Sequence, residues 1–505
     1  MKAIQKTKTK GGNYFKIFLF VLLLVPAFLL SGCSLEELGV NSVVSVVSIE
    51  KTGSEGDYDI YTITYSDDST STFTIQNGTD GADGTDGEDL TLDDIYASAV
   101  ENGYTGTYWE FLQEYLSVSI ENNLITIATS KALLSTVSIY AEFPVITEVS
   151  SMFSSNTTEV KSTTVSAGSG VIYDLNSETG EAYIITNYHV VYNTDNATED
   201  NIASEIYSYL YGSEYDVSFE YASDGTTYLY DSDGYPIVDY GDSAIECEYI
   251  GGSMVYDIAI LKVTDDIFKT GDYQAVEVAD SYSVGETAIA IGNPEAEGIS
   301  VTNGVVSVDS EYITMTGADD ETTITFRVMR IDTAVNSGNS GGGLFNDSGE
   351  LIGIVNAKII DEDVENIGYA LPMDLVVKVA DNIIYNYEEN GLSTVGKLYL
   401  GISLKTANSS AYFDEDTATT KITEDVFVNT VETDSYAESL GFEAEDEILS
   451  VQINSDTTEI NRMYELVDSF LNARVGDQIT ITLVRDGVEQ DISFVVLSAN
   501  IKTIA

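Results

Sequence analysis

Hydrophobic and polar positions follow a β-type pattern over most of this chain. Between about residues 124 and 360, short runs rich in β-branched residues alternate with Gly and Asp turns. This pattern predicts an all-β barrel or sandwich domain. Three earlier runs, 43–49, 60–65 and 71–75, also predict strands, and the run Met373 to Tyr387 has helical spacing. The chain is therefore predicted to be mainly β.

Changes in composition divide the chain into segments. Glycines at every third position from Gly78 to Gly87 predict a flexible acidic spacer, because so few triplets without proline cannot form a collagen helix. Residues 92–118 have helical spacing. The predicted segments are a signal peptide (1–32), a small N-terminal surface module (33–123), a β domain (124–392) and a C-terminal domain (397–505).

One stretch of the β domain interrupts its pattern. No Lys or Arg occurs between Lys161 and Lys262, and residues 192–250 carry 14 acidic residues and many tyrosines. This composition predicts a long surface insertion, partly folded as a hairpin.

The N-terminus has the pattern of a targeting segment. Several lysines precede the apolar run Ile17 to Leu30, which contains Pro26 and is too short to span a bilayer comfortably. The run instead has the length of a signal-peptide core. Leu30-Ser31-Gly32-Cys33 resembles the lipobox of bacterial lipoproteins, which implies that Cys33 is lipidated and anchors the chain outside the cytoplasmic membrane. An uncleaved anchor helix is the alternative.

Charge excludes one class of partner. The chain has 84 acidic and 21 basic residues and a net charge of −63. Nucleic acid is not an expected partner, because little positive charge is available to neutralise phosphates. Two explanations of the acidity stay open: a salt-rich habitat, where ions screen the self-repulsion, and an acidic surface that keeps a cell-surface protein soluble.

No cofactor or metal is predicted. The only cysteines, Cys33 and Cys247, form no metal-binding pattern and no disulfide framework. Asp231 and Asp233 suggest a calcium loop with Asp239, but proline stands at residue 236, where an EF-hand needs glycine.

Three residues suggest nucleophilic catalysis. His189 is the only histidine, Asp257 precedes the apolar run Ile258 to Val263, and Ser340 lies among small residues in Gly-Asn-Ser-Gly-Gly. A serine hydroxyl needs a base within hydrogen-bond reach and a carboxylate that orients the base. The order His, Asp, Ser occurs in one of the unrelated folds that carry this triad. Glycines around Ser340 let backbone N–H groups converge on a developing oxyanion.

The surrounding motifs resemble those of the HtrA family of trypsin-like serine proteases with a C-terminal PDZ domain. The matching motifs are GSGVI (168–172), TNYHVV (186–191), DIAIL (257–261), AIGNP (290–294), VTNGVV (301–306), DTAVNSGNSGG (332–342) and IGYALP (367–372). The resemblance implies a pair of six-stranded β-barrels. It also implies that Ser340 is the nucleophile, His189 the general base and Asp257 its orienting acid, with an oxyanion hole formed by the N–H groups of Gly338 and Ser340.

The same resemblance implies a specificity. Ala334, six residues before the nucleophile, would lie at the base of the specificity pocket. Because no acid is available there to meet Lys or Arg, a small apolar residue before the cleaved bond is expected. Family members form trimers, so a homotrimer is implied, although the N-terminal region that supports the trimer in the family is different here.

The last hundred residues resemble an α+β PDZ domain. A segment at their start resembles the carboxylate-binding loop of that fold, which receives a peptide's C-terminus while the peptide adds as a strand. The loop residues are Tyr399, Leu400, Gly401 and Ile402. The predicted function is a membrane-anchored, extracytoplasmic serine endopeptidase that acts on unfolded or damaged proteins. The alternative is a non-catalytic surface scaffold or chaperone that binds polypeptide C-termini.

Overall fold

The computed structural model describes residues 46–55, 58–65, 69–76, 99–100, 121–150, 157–359, 367–415 and 417–504. The chain divides into two compact units, Met1–Ile120 and Glu121–Ala505. The predicted signal peptide with Cys33, the glycine spacer and nearly all of the predicted 92–118 helix lie outside the described residues. None of the helices in the described ranges is both long and apolar enough to cross a membrane.

The N-terminal unit contains a three-stranded antiparallel sheet. Its strands are β1 (Val46–Glu55), β2 (Tyr58–Tyr65) and β3 (Thr70–Gln76). All three strands were predicted from their β-branched runs, and the structure confirms them.

A seven-stranded antiparallel sheet forms the first half of the large unit. Its strands are β4 (Thr136–Ser150), β5 (Thr157–Asn176), β6 (Glu181–Thr186), β7 (Glu205–Leu210), β10 (Ile245–Glu246), β11 (Glu248–Ser253) and β12 (Ile258–Thr264). Their order in the sheet is β10-β7-β4-β5-β6-β12-β11. Strands β6 and β12 pair along their whole length, which brings the chain after β6 close to the start of β12.

The prediction that residues 192–250 form a surface insertion is wrong in part. Strand β7 lies inside this range, yet it pairs with β4 within the sheet, and Tyr209 and Leu210 are fully buried. One face of the strand places Ile206 and Leu210 in the apolar core, and the other places Tyr207 and Tyr209 in a cluster of tyrosines. The intervening segment contains the short pair β8 (Ser218–Phe219) and β9 (Val238–Asp239).

A closed six-stranded barrel follows in the large unit. Its strands are β13 (Thr287–Gly292), β14 (Ser300–Thr316), β15 (Thr323–Ile331), β16 (Gly343–Phe345), β17 (Leu351–Val355) and β18 (Gly368–Pro372). The loop between β15 and β16 carries Ser340. The second of the two expected six-stranded barrels is therefore present. In place of the first, the structure has the seven-stranded sheet.

Two longer helices pack against the seven-stranded sheet and the barrel. Helix α1 spans Glu121–Leu133. The sequence predicts that the β pattern begins at about residue 124, and this part of the prediction is wrong. The short helices α2 (Tyr188–Val191) and α3 (Ile267–Thr270) follow. Helix α4 (Met373–Asn390) confirms the predicted 373–387 helix, and Gly391 ends it in the left-handed conformation at φ 63°.

The C-terminal domain combines strands with two short helices around its own apolar core. Its strands are β19 (Val395–Leu398), β20 (Ile402–Asp414), β21 (Thr419–Val431), β22 (Glu447–Ile453), β23 (Asp456–Glu459), β24 (Gln478–Arg485), β25 (Val488–Val495) and β26 (Ile501–Ile504). Its helices are α5 (Tyr436–Leu440) and α6 (Met463–Ser469). Strand β20 lies at one edge of the main sheet, and β19 pairs with β26.

A buried ion pair joins the C-terminal domain to the second barrel. Arg327 of β15 has a side chain that is 1% exposed, and its Nη2 donates to Asp374 of α4 at 2.7 Å and to Asp468 of α6 at 2.8 Å. The ring of Tyr464 lies 4.1 Å from the guanidinium. One charged side chain of the barrel therefore holds two helices, one of them from the C-terminal domain.

Candidate active site

His189 lies between the other two predicted triad residues. Its Nδ1 is 2.7 Å from Asp257 Oδ2, and its Nε2 is 2.9 Å from Ser340 Oγ. The histidine lies on α2, directly after the buried strand β6, while Asp257 directly precedes β12, the partner of β6. The pairing of these two strands explains why residues far apart in sequence meet here.

The carboxylate of Asp257 is held from several directions. Oδ1 accepts the backbone N–H of His189 at 3.0 Å, and Oδ2 accepts Nδ2 of Asn356 at 2.7 Å. Asn187 donates to the Asp257 backbone carbonyl at 2.8 Å. Asp257 itself has φ 50°, a conformation that non-glycine residues seldom adopt. With the carboxylate fixed as an acceptor, Nδ1 of His189 carries the proton and Nε2 is left to accept the serine proton.

The loop around Ser340 has two backbone N–H groups to which no acceptor is assigned among the described residues. Gly338 has φ 93°, and a Cβ at this position would overlap the carbonyl oxygen of Asn293. The Ser337 carbonyl accepts the N–H of Glu295 at 2.9 Å. Among the described residues, neither the Gly338 N–H nor the Ser340 N–H donates to a protein group. Both donors are therefore available to an oxyanion.

Ser169 supports the same loop from the first sheet. Its Oγ donates to the Gly338 carbonyl at 2.8 Å and accepts the N–H of Asn293 at 2.8 Å. Its own N–H donates to the Ser340 carbonyl at 2.8 Å. One buried serine thus fixes the peptide groups on both sides of the predicted oxyanion hole.

Ser340 Oγ has a second neighbour besides His189. The N–H of Ala357 donates to it at 3.2 Å. This N–H holds the hydroxyl oxygen in place while the hydroxyl proton points to Nε2. Ser340 is only 5% exposed, so little water competes for either hydrogen bond.

Ala334 lies at the surface of the second barrel. Its side chain is exposed, and its carbonyl accepts Oγ1 of Thr302 at 2.8 Å. Residues 360–366 lie outside the described residues. The predicted preference for a small apolar residue therefore stays a prediction.

The predicted carboxylate-binding loop begins between β19 and β20. Gly401 has φ 84°, and the Leu400 and Gly401 carbonyls accept the N–H groups of Ala437 and Glu432, both at 2.8 Å. Within the described part of the chain, the N–H groups of Leu400 and Gly401 donate to no protein group. The loop is thus anchored through its carbonyls, and its donors are free.

Two supporting residues were missed from the sequence. Asn356 directly follows the fully buried strand β17. A single polar residue at that position is the one indication in the sequence that its side chain has a polar partner. In the sequence, Ser169 is only one member of a glycine motif, GSGVI (168–172). In neither case does the sequence indicate the distant partner, which is Asp257 for Asn356 and Gly338 for Ser169.

The acidic loop around Asp231 and the thiol of Cys247 are the remaining candidate sites. Among the described residues, no group of His, Cys, Asp and Glu is arranged to hold a metal ion. Asp231 Oδ1 accepts the N–H groups of Asp233 at 2.9 Å and Tyr235 at 2.8 Å, so its carboxylate closes a turn. Burial raises the pKa of the Cys247 thiol to about 12, which makes it unreactive.

Comparison with known proteins agrees with this geometry. A trypsin-like peptidase domain profile matches residues 168–354, and a PDZ domain profile matches residues 399–496. Serine protease Do-like HtrA of Bacillus subtilis (strain 168) is 29% identical over 351 residues, covering 67% of this chain and 66% of the relative. The chain thus contains the two domains of an HtrA-type serine protease and is similar to members of that family. The trypsin-like and PDZ assignments are thereby confirmed.

One further relative and one solved structure are also similar to the chain. Serine protease Do-like HtrA of Lactococcus lactis subsp. lactis (strain IL1403) is 27% identical over 355 residues, covering 67% of this chain and 74% of the relative. The solved HtrA-type protease AlgW with decapeptide covers 74% of this chain and 98% of its own, at 23% identity and a TM-score of 0.42.

Proposed function

We propose that this HtrA-type chain is a lipid-anchored, extracytoplasmic serine endopeptidase that cleaves unfolded or damaged polypeptides. The observation that carries the proposal is the position of His189 between Asp257 and Ser340, at 2.7 and 2.9 Å, beside two free N–H groups. A base, its orienting acid, a nucleophile and oxyanion donors are the complete requirement for acyl transfer.

The reaction follows from these contacts. Ser340 Oγ attacks the carbonyl carbon of the scissile bond while its proton passes to His189 Nε2. The N–H groups of Gly338 and Ser340 hold the resulting oxyanion, and each such donor lowers the barrier by about 3 kcal/mol. His189 then protonates the leaving amine, and water attacks the Ser340 ester by the same route in reverse. No step needs a cofactor.

Cleavage is proposed to follow Val, Ala, Ile or Leu. Ala334 supplies no charge at the proposed base of the pocket, so a Lys or Arg side chain would lose its hydration without gaining an ion pair. An Ala334→Asp variant is expected to cleave after Lys or Arg as well. If the cut sites are unchanged in this variant, Ala334 does not line the specificity pocket.

The membrane attachment is proposed from the sequence alone. With Cys33 lipidated, the chain would fractionate with membranes, and a Cys33→Ser variant would be released into the soluble fraction. Equal membrane association of both would contradict lipid anchoring through this residue. The trimer that the family resemblance implies stays a prediction.

Digestion of unfolded casein by the chain and by its Ser340→Ala variant tests the proposed activity, at low and high salt. Fragments are expected with the parent alone, with small apolar residues at the new C-termini. Equal fragmentation by both proteins would indicate a contaminating protease. No cleavage under any salt condition would instead support the alternative, a non-catalytic scaffold that binds polypeptide C-termini through its PDZ domain.

A further inference from the structure

The loop of residues 293–298 follows β13 and lies against the proposed oxyanion hole. The N–H of Glu295 donates to the Ser337 carbonyl at 2.9 Å. The carbonyl oxygen of Asn293 lies so close to Gly338 that only a residue without a Cβ fits there. Because both contacts are with the residues that precede Ser340, a shift of the 293–298 loop would move the Gly338 N–H as well.

The 293–298 loop has a strained backbone. Glu295 and Ala296 have φ values of 55° and 59°, in the left-handed region that non-glycine residues seldom adopt. Such conformations persist only where the surrounding structure over-determines them. The loop therefore depends on contacts with other parts of the chain.

The amide of Asn293 makes the first of these contacts. Its Oδ1 accepts the N–H of Gly298 at 2.8 Å, which joins the two ends of the loop. Its Nδ2 donates to the hydroxyl of Tyr140 of β4 at 3.3 Å. Asn293 is fully buried and Tyr140 is 5% exposed, so solvent competes little for this hydrogen bond. The Tyr140 hydroxyl thus ties the loop to the seven-stranded sheet.

The acidic segment between β7 and β10 makes the second contact, through Tyr215. A Cβ built on Gly298 would lie 3.9 Å from Cε2 of this ring, so the ring lies beside the end of the loop. The centroid of the Tyr215 ring is 5.3 Å from that of Tyr209, which in turn is 5.4 Å from that of Tyr140. The three packed rings therefore reach both ends of the 293–298 loop.

We propose that Tyr140 and Tyr215 are positioning residues for the oxyanion hole. They hold the 293–298 loop, and the loop keeps Gly338 in the conformation that offers its N–H to the oxyanion. The proposal rests on the proposed function, since an oxyanion forms only if the chain carries out acyl transfer. It gives the tyrosine-rich acidic segment a part in the reaction, although neither tyrosine touches the substrate.

Tyr140→Phe removes the hydroxyl and keeps the ring, so the ring cluster stays packed while Nδ2 of Asn293 loses its acceptor. With the full chain in detergent and unfolded casein as substrate, we expect kcat to fall about tenfold and KM to stay unchanged. This pattern is that of an interaction made only in the transition state. The loss is smaller than the factor of about 10²–10³ that follows deletion of an oxyanion donor.

Tyr215 contacts the loop through its ring, whereas its hydroxyl accepts Oγ of Ser138 at 3.3 Å. Tyr215→Leu should therefore lower kcat about as much as Tyr140→Phe does, and Tyr215→Phe should retain the kcat of the parent. A kcat that is lowered equally in both Tyr215 variants would overturn the role assigned to the ring.

Phosphorus NMR separates positioning from general stability. Diisopropyl fluorophosphate phosphorylates an activated serine, and the phosphoryl oxygen of the adduct occupies the place of the oxyanion. The phosphorus shift therefore reports on the hydrogen bonds in the hole. We expect a changed shift in Tyr140→Phe and in Tyr215→Leu. A lower kcat with an unchanged phosphorus shift would overturn the proposal.

The control variant is Tyr207→Phe, which removes a hydroxyl from the same group of tyrosines. The Tyr207 hydroxyl donates to Glu205 at 2.9 Å at the surface, and the ring stacks on Tyr240. Its kcat and its phosphorus shift should equal those of the parent. An equal loss in Tyr207→Phe and Tyr140→Phe would indicate general loosening of the tyrosines and would overturn the proposal.

The parent separates failure of this proposal from failure of the proposed function. If the parent neither cuts casein nor reacts with the fluorophosphate, the proposed function and the positioning role fail together. If the parent does both, and Tyr140→Phe has the same kcat and phosphorus shift, the positioning role is overturned and the proposed function stands.

Discussion

Asp257 Oδ2 is the acceptor on which the geometry of the proposed active site depends. It accepts Nδ1 of His189 and Nδ2 of Asn356, both at 2.7 Å, in a place that is 5% exposed. Hydrogen bonds to a buried charged group contribute about 1.5–3 kcal/mol each. The amide of Asn356 therefore stabilises the carboxylate and fixes the direction in which it faces the imidazole.

Asn356→Ala is expected to lower kcat about tenfold or more with little change in KM, because the substrate does not need this amide for binding. The second measurement is proton NMR of the imidazole N–H of His189, which is unambiguous because the chain has one histidine. This signal should shift or broaden in the variant. Unchanged kcat and an unchanged signal would show that Asn356 plays no positioning role.

The sequence predicts the three triad residues but not the residues around them. His189, Asp257 and Ser340 each lie in a local motif of recognisable composition. Asn356 reaches Asp257 from 99 positions away, and Ser169 reaches Gly338 from 169 positions away. Such contacts depend on how the seven-stranded sheet packs against the barrel, which no local pattern encodes.

At the scale of elements, Arg327 of β15 fixes the PDZ domain through Asp468 of α6. Arg327→Met would leave Asp468 buried without its main partner, at a cost of about 3–5 kcal/mol. We expect the PDZ domain to loosen from the barrel, so that limited proteolysis cuts between the domains faster than in the parent.

Arg330→Met is the matched control, because Arg330 lies on the same strand and pairs with Glu311 at 3.0 Å in a half-exposed position. This variant should be cut at the parent's rate, because the pair lies between two strands of the barrel and does not reach the C-terminal domain. Equal cutting of Arg327→Met and the parent would contradict the role of the buried pair.

Strand β4 supplies a prediction about pH. Burial raises the pKa of Glu142, although the hydroxyl of Tyr240, which donates at 3.0 Å, partly offsets this. An acid whose pKa is raised on folding binds its proton more tightly in the folded state. The free energy of unfolding therefore falls as the pH rises from the unfolded pKa through the folded one.

Glu142→Gln removes this penalty and keeps an acceptor for Tyr240. The variant should have a slightly higher Tm than the parent at pH 7, and the difference should vanish as the pH falls to about 4, near the usual pKa of a glutamate. Thermal unfolding across this range measures the effect. A lower Tm for the variant at pH 7 would show that the charged form is favoured instead.

The elements that the sequence predicts are those with a simple pattern. Strands β1 to β3 and helix α4 follow from β-branched runs and helical spacing. Helix α1 is missed because its Leu-Ile-Thr-Ile run is β-branched, while packing of Ala128 and Ala132 against the core favours a helix. Strand β7 is missed because the buried Ser208 and the two tyrosines interrupt the short aliphatic pattern of Ile206 and Leu210.

The whole molecule carries a net charge of −63, which opposes compaction. Raising NaCl from about 0.1 M to 1 M shortens the Debye length from about 10 Å to 3 Å and screens this repulsion. The Tm should therefore rise by several degrees. A large rise would support the salt-rich habitat, whereas a flat profile would support an acidic surface that serves solubility.

Covalent labelling with a fluorophosphonate probe tests the central claim most directly, which is that His189 activates Ser340. The parent, Ser340→Ala and His189→Gln are treated side by side, and the modified residue is located by mass spectrometry. We predict an adduct on Ser340 in the parent and none in either variant. An adduct on another residue, or equal labelling of Ser340 when His189 is replaced, would contradict the proposed mechanism.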